Sequence, residues 1–328
     1  MRVVITGGAG FLGSRLARAI LDRGALTDSH GVSRPVRELV LADVAPPSPG
    51  FDPRVRAIRV DLHDASQVDA LITPDTAAIF HLAAVVSGQA ESDFDLGMRV
   101  NVDATRRLLE RCRACASAPK FVFTSSLAVF GGKLPAVVPD DAAVTPQSSY
   151  GAQKAIGELL VNDMSRKGFI DGRSLRLPTI VVRPGKPNRA ASSFASGIIR
   201  EPLSGVDAIC PVAPQTRMWV QSPRTVVENL LAGHEAPAAA LPQFRSINVP
   251  GISVAVGDMV AALRDVAGEA AAARVRWRYD AAIDRIVSTW PACFATDTGR
   301  ALGMRADHDF EAIVRAFVAQ DFQPPASL

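Results

Sequence analysis

The sequence predicts an α/β protein whose core is a doubly wound parallel sheet, with a smaller C-terminal α/β lobe. Three observations carry that prediction. A glycine run, Gly7-Gly8-Ala9-Gly10-Phe11-Leu12-Gly13, lies between an apolar strand and a helical pattern. Short β-rich runs then alternate with helical periodicity as far as residue 182, the mark of a parallel sheet with helical crossovers. Beyond Pro184 prolines become frequent and the elements shorten. The expected division is therefore a sheet domain over 1–184 and a smaller lobe over 185–328, partly discontinuous with the first.

Taken in order, Val3–Thr6 is the first strand, and Leu12, Leu16, Ala19 and Ile20 pattern a helix to Arg23. The polar insertion Ala25–Val36 reads as a surface loop, because its Gly, Ser and Pro break both periodicities. Glu38–Ala42 and Val55–Val60 are the next strands, and Ala65–Ile72 a helix. The strand Ala78–Leu82, a long helix over 92–115 and the strand Phe121–Thr124 follow. A helix over 150–166 and the strand Ser174–Val182 close the series. In the lobe, helices are expected at 223–234, 255–267 and 308–320, with short strands around Ile209, Ile247 and Trp277. The final Pro-Pro-Ala-Ser-Leu reads as a frayed tail.

Composition excludes several classes. Hydrophobic residues make up 48% and charged residues 21%, with a net charge of +3 spread along the chain. No Lys/Arg block resembles a nucleic-acid stripe, so no nucleic-acid partner is expected. No apolar run approaches the ~20 residues that span a bilayer, so no membrane partner is expected either. A strand beginning at Arg2 leaves no room for a signal peptide. Cys112 and Cys115 lie one turn apart on a helix, without the second ligand pair that a zinc site needs. A reducing, cytoplasmic setting is the simplest expectation.

The glycine run carries the first chemistry. Gly7 permits a tight turn, Gly10 lets the backbone approach a pyrophosphate, and Gly13 brings the helix close to the strand. The helix N-terminus then offers unpaired N–H groups and a partial positive charge to phosphate. The glycines fit two spacings, Gly8-x-Gly10-x-x-Gly13 and Gly7-x-x-Gly10-x-x-Gly13, and a second motif must decide between them.

Tyr150-Gly151-Ala152-Gln153-Lys154 supplies it. The i, i+4 spacing puts phenol and ammonium on one helix face. A free tyrosine has a pKa of ~10, and a neighbouring Lys⁺ is expected to lower it, so that the phenolate can take a proton from an alcohol. Just upstream, Thr124-Ser125-Ser126 ends a strand, where small hydroxyls can hold a substrate oxygen. Asp43 closes the second strand of the series; an acid there accepts hydrogen bonds from adenosine ribose hydroxyls and repels a 2′-phosphate, which favours NAD over NADP.

With these motifs the chain resembles the extended short-chain dehydrogenase/reductase family, whose NAD-dependent epimerases and dehydratases share a Rossmann fold. The glycine turn, His81-Leu82-Ala83-Ala84, Asn101, Thr124-Ser125-Ser126, Tyr150/Lys154, Arg183-Pro184-Gly185 and Ile247-Asn248-Val249-Pro250-Gly251 carry the resemblance in order. It selects the Gly7/Gly10/Gly13 spacing. It implies Tyr150 as general acid/base, Lys154 on the nicotinamide ribose, and Ser126 on the reacting oxygen. It assigns Phe11, Leu12, Leu82, Ala83, Ala84, Asn101 and Pro178 to the cofactor, with Asp61 and Leu62 at the adenine. His81 reads as structural. Phe130 departs from the tyrosine that many sugar-nucleotide epimerases carry.

Two features point to a small sugar acid as substrate. Arg183, Lys186 and Arg189 follow the sixth strand of the series, and Arg183 is placed to grip a carboxylate in bidentate fashion; a diphosphate suits the cluster as well. The stretches Ala83–Glu91, Phe94–Gly97 and Arg189–Phe194 resemble family members that oxidise the 2-hydroxyl of a four-carbon sugar acid with NAD. That likeness implies Ser87 and Thr179 facing substrate hydroxyls and Arg183 facing the carboxylate. A nucleotide-sugar epimerase that holds its NAD is the competing reading, and a non-catalytic NAD-binding protein the third. The family likeness also implies a homodimer through the helices at 92–115 and 150–166, with Leu108, Leu109, Leu159 and Leu160 available for contact.

Overall fold

The computed structural model describes residues 1–45, 52–187 and 189–323; the expected tail at 324–328 lies outside them. Seven strands form one parallel sheet. They are β1 (Arg2–Thr6), β4 (Glu38–Asp43), β5 (Val55–Arg59), β6 (Thr76–His81), β7 (Lys120–Ser126), β8 (Asp171–Leu177) and β12 (Ser246–Asn248). Their spatial order is β12-β8-β7-β6-β1-β4-β5. Strand order reverses at β1, between β4 and β6, so the crevice at its C-terminal end is where a doubly wound sheet binds its ligand.

The sheet is covered on both faces. Helices α1 (Phe11–Arg23) and α8 (Pro223–Glu235) share one apolar cluster with β1 and β4, in which Leu16, Ile20, Leu39 and Leu230 are fully buried. Each such side chain contributes about 1.5–3 kcal/mol by leaving water. On the other face α2 (Ala65–Leu71), α5 (Ala104–Cys115) and α6 (Ser149–Arg166) bury Val68, Leu108, Leu109 and Val161. Strand β1 is buried at all five positions, as expected of a strand covered on both sides. Edge strand β5 instead carries exposed Arg56 and Arg59, charges that discourage pairing with another edge.

Four local expectations are corrected. The insertion Ala25–Val36 is not a loop but a hairpin of β2 (Ala25–Thr27) and β3 (Ser33–Pro35). Asp28 caps its turn by accepting from His30 and Val32 N–H, and Gly31 takes φ +78°. The long helix starts later: α3 (Ser87–Ser92) and α4 (Phe94–Gly97) precede a π-wound stretch over Met98–Asp103, which leads into α5. The strand expected over Ser174–Val182 divides at Pro178, which has no N–H for a ladder; β9 (Thr179–Ile180) leaves the large sheet to pair with β11 (Arg217–Gln221). Finally α7 (Ser193–Leu203) occupies a stretch in which no element was expected; Pro202 falls in its last turn.

Beyond residue 184 the chain contributes α8 and β12 to the large sheet and builds a separate apolar cluster of its own. Strands β10 (Ala208–Cys210), β13 (Ile252–Ala255) and β14 (Val275–Trp277) join β9 and β11 in two small sheets. Helices α9 (Val256–Ala267) and α13 (Phe310–Gln320) bury Met259, Leu263, Ile313 and Val314 against α7 residues Ile198 and Ile199. Short helices α10 (Glu269–Ala272), α11 (Ala281–Val287) and α12 (Asp297–Ala301) complete the lobe. No helix among the described residues is long and apolar enough to cross a membrane.

Candidate active site

The glycine run forms the turn between β1 and α1. Gly7 has φ +71°, and a Cβ on Gly13 would lie 2.2 Å from the Gly7 carbonyl oxygen. Only glycine at 13 lets α1 start this close to the turn. Gly10 is the N-cap, with no side-chain cap and no acidic residue in the first turn. The bare N–H groups and the helix dipole are thus left for an anion. Asp43, at the end of β4, reaches back to this turn and accepts the Ala9 N–H at 3.1 Å. Arg34 is turned away, bonded to Asp28 within the hairpin.

A cavity of about 390 Å³ runs from this turn into the seam with the lobe. Gly7, Gly10, Phe11, Leu12 and Gly13 line its first end, and Leu82 and Ala84 follow beyond β6. Ser126, Tyr150, Lys154 and Pro178 line its middle, with Ser87, Thr179 and Arg183 on the lobe side. Residues 140 positions apart in sequence are therefore brought to one crevice by the parallel strand ends. Asp43, Asp61, Leu62, Ala83 and Asn101 are not on its wall. Asp61 and Leu62 follow β5, where Asp61 accepts the His63 N–H and Leu62 is buried. The Ala83 N–H donates to Thr6 Oγ1.

Asn101 acts one layer back. Within the π-wound stretch its amide accepts the Val85 N–H at 2.8 Å, and donates to the Val85 carbonyl and to Gln153 Oε1. It thus ties the segment leading to Ser87 onto the helix that bears Tyr150. Lys186 and Arg189, expected at the mouth beside Arg183, are exposed and off the cavity wall. Ser87 Oγ accepts the Ala191 N–H at 3.2 Å, which leaves its own proton available to donate into the cavity.

The electrostatics differ from the expected Lys154-tuned phenol. Burial pushes the Tyr150 phenol up to about 12; a hydrogen bond with Ser126 and the Arg183 charge pull in the opposite direction. Lys154 lies over the same ring, with Nζ 5.7 Å from the Tyr150 centroid. Its Nζ donates to the Thr124 carbonyl at 2.8 Å and lies 4.8 Å from the Phe123 ring centroid. Burial brings Lys154 down to about 7, against the attraction of Glu158, so near neutrality it carries only part of a charge. Glu158, one turn further along α6, accepts from Ser125 Oγ and from both Nε and Nη2 of Arg176.

His81 is sealed between Thr6 Oγ1 and Thr105 Oγ1 at 2.6 and 2.9 Å. Burial first, and the Lys154 charge second, bring it down to about 3, so it stays neutral. Phe130 is buried beneath the Arg176 guanidinium and does not line the cavity. The four cysteines are free thiols, and no cluster of metal-ligating side chains occurs among the described residues.

Several wall residues were not anticipated. Ala190, Ser192 and Trp290 reach the cavity from beyond residue 184. Trp290 follows α11 in a stretch whose sequence carries no motif, and only long-range packing brings it here. Ser192 is the N-cap of α7; a serine ahead of an apolar run was the one signal that could have marked this helix.

The glycine cradle, the uncapped helix terminus and the Asp43 carboxylate beside them fit NAD. Comparisons with known proteins agree. Residues 3–221 match the model of the NAD dependent epimerase/dehydratase family. The chain is 57% identical to a D-erythronate dehydrogenase of Cupriavidus necator, over 97% of this chain and 98% of that one. It is 48% identical to a D-erythronate dehydrogenase of Haemophilus influenzae, over 98% of this chain and 100% of that one. Among solved structures, a nucleoside-diphosphate-sugar epimerase from Agrobacterium tumefaciens superposes with a TM-score of 0.91 at 42% identity, covering 98% of this chain and 94% of that one. The chain belongs to the NAD-dependent epimerase/dehydratase family, and is an NAD-dependent oxidoreductase built on its Rossmann fold.

Proposed function

We propose that the protein oxidises the 2-hydroxyl of a small sugar acid, converting D-erythronate to 2-oxo-tetronate with NAD. The observation that carries this reading is the meeting of Ser126, Tyr150, Lys154 and Arg183 around one cavity. The two highly similar D-erythronate dehydrogenases, matched over nearly their whole length, support the choice of acid.

In this mechanism Gly7, Gly10 and Gly13, with the N–H groups of Phe11 and Leu12, hold the pyrophosphate. Asp43 holds the adenosine ribose, with Asp61 and Leu62 at the adenine. Leu82, Ala83, Ala84, Asn101 and Pro178 shape the remaining cofactor wall, and Lys154 binds the nicotinamide ribose. Bound NAD supplies the hydride acceptor and a positive ring that favours the phenolate. Arg183 holds the substrate carboxylate, and Ser87 and Thr179 hold its outer hydroxyls. Ser126 donates to the reacting oxygen, and the Tyr150 phenolate takes the 2-OH proton as the C–H bond breaks. Tyr150 ends protonated and must release that proton to solvent before the next turnover.

Purified protein given D-erythronate and NAD is expected to form NADH, followed by its absorbance. A related solved structure bears the description of a nucleoside-diphosphate-sugar epimerase, which makes epimerisation the second reading. That reaction returns the hydride and gives no net NADH. Absence of NADH with four-carbon sugar acids, together with turnover of a nucleotide sugar, would favour it.

A homodimer in the cytoplasm belongs to the same proposal. Leu108 and Leu109 are spent in the core, but Leu159 and Ile156 on α6 remain exposed, and two copies of that helix can cover them. Light scattering is expected to give twice the chain mass; a monomer at micromolar concentration overturns the dimer. The four free thiols support a reducing compartment.

A further inference from the structure

Arg183 lies at the start of the connector that leads from β9 to α7, and a connector does not by itself hold a gripping side chain still. Here its main chain is fixed on both sides by side chains of one helix. The Arg183 N–H donates to Ser196 Oγ at 3.1 Å, and Arg200 Nη1 donates to the Arg183 carbonyl at 2.7 Å. Ser196 is 1% exposed and Arg200 9%, so neither bond competes with bulk water. Arg200 is itself oriented by Glu201 through its second Nη.

The spacing explains how α7 does this. Ser192, Ser196 and Arg200 recur at i, i+4 and i+8 and so form one stripe along the helix. Ser192, at the N-cap, lines the cavity itself. The rest of the helix is anchored: Phe194, Ala195, Ile198 and Ile199 are buried in the lobe cluster. At its far end the same connector is pinned again, where the Ala191 N–H donates to Ser87 Oγ. Burial first, and the Arg200 charge second, push the Arg183 pKa down, and the Arg200 charge adds to the positive field at that wall.

We propose that this stripe of α7 sets the acid specificity of the cavity, with Ser196 and Arg200 as positioning residues that aim Arg183 at the substrate carboxylate. The inference rests on the proposed sugar-acid oxidation and adds to it the elements that select the acid. A guanidinium carried on a fixed main chain has its starting point set for the parallel bidentate pair that a carboxylate prefers. One free to swing along its connector gives up part of that geometry. The same hydrogen bonds do not involve the glycine turn, so NAD binding is separable from them, and they reach the proton step only through the Arg183 charge that acts on Tyr150.

The test compares D-erythronate with its neutral amide, D-erythronamide, in the wild-type protein and in the Ser196→Ala and Arg200→Lys variants. Both kinetic constants are measured for each substrate, together with the KM for NAD. Ser196→Ala is expected to raise the KM for the acid by up to about tenfold, the upper scale of one lost hydrogen bond between neutral groups. Its effect on kcat and on the KM for NAD is expected to be smaller, and its preference for acid over amide should fall by the same factor. Arg200→Lys, which keeps a donor and the charge, should fall between the two. Undiminished acid preference in both variants overturns the inference while leaving the activity standing. A parallel loss of kcat and NAD affinity, with preference retained, overturns it as well by assigning α7 a merely structural role. A wild-type protein that neither oxidises nor binds the acid overturns both the activity and the inference.

Discussion

Replacing Tyr150 with phenylalanine is expected to lower kcat for sugar-acid oxidation about a thousandfold, within the range measured for loss of a general base. The ring remains at the cavity wall, so only the hydroxyl and its hydrogen bond with Ser126 are lost and the melting temperature should barely move. NAD affinity should also be retained, because the phenol hydroxyl is set apart from the glycine turn that holds the pyrophosphate. Among the described residues, neither titratable neighbour can replace it. His81 is sealed between two threonines and held neutral, and Lys154 is turned onto the Thr124 carbonyl. The sign of the pH dependence follows. A phenol raised by burial is protonated at neutral pH, so oxidation by the wild-type protein should climb as pH rises and the phenolate fraction grows. The residual activity of the phenylalanine variant should lose that climb. Stopped-flow or steady-state NADH formation across pH 6–9 reads both, and a variant within about tenfold of wild type would remove Tyr150 from the mechanism.

The parts of this site that were legible in sequence are those whose physical requirement is local. Gly13 is demanded by a carbonyl six residues earlier, and Tyr150 and Lys154 share a helix face by spacing alone. Asp43 was legible because a strand end in a doubly wound sheet has a known neighbour. What the chain hid depends on contacts far apart in sequence. The orientation of Lys154 is decided by a carbonyl on β7, thirty residues upstream, and its burial there leaves it only part of a charge, which helix spacing does not announce. Arg183 could be named as a candidate, but its two clamps sit on a helix that the Ser, Gly and Pro content of 192–205 concealed. The hairpin at 25–35 was read as a loop because polar composition outweighed its alternation; Leu26 and Val36 are in fact buried beside α1 and β4. Its tie to α8, where Thr27 bonds Glu235, is again a long-range contact.

Lys154→Met carries a second large expectation, with opposite signs for activity and stability. Activity should fall by about a hundredfold or more through loss of the ribose contact and of the partial charge near Tyr150. Stability should rise in acid. Burial lowers the Lys154 pKa to about 7 in the folded protein, from 10.5 when exposed. Between those values the unfolded chain binds more protons, so stability rises with pH across that window; below about pH 7 both states are charged and the folded state bears the full cost. That cost is on the order of 5 kcal/mol before compensation. Methionine matches the length of the stem and removes the buried charge. It also leaves the Thr124 carbonyl without its donor and forfeits the contact over Phe123, together about 2–4 kcal/mol. The net gain is therefore about 1–3 kcal/mol at pH 6, or roughly 2–10 °C in melting temperature for a chain of this size. At pH 9 most of the cost has already gone, so the same substitution should be neutral or destabilising. Calorimetry of the NAD-free protein at the two pH values decides it: an equal shift at both would mean that Lys154 is not held against its charge.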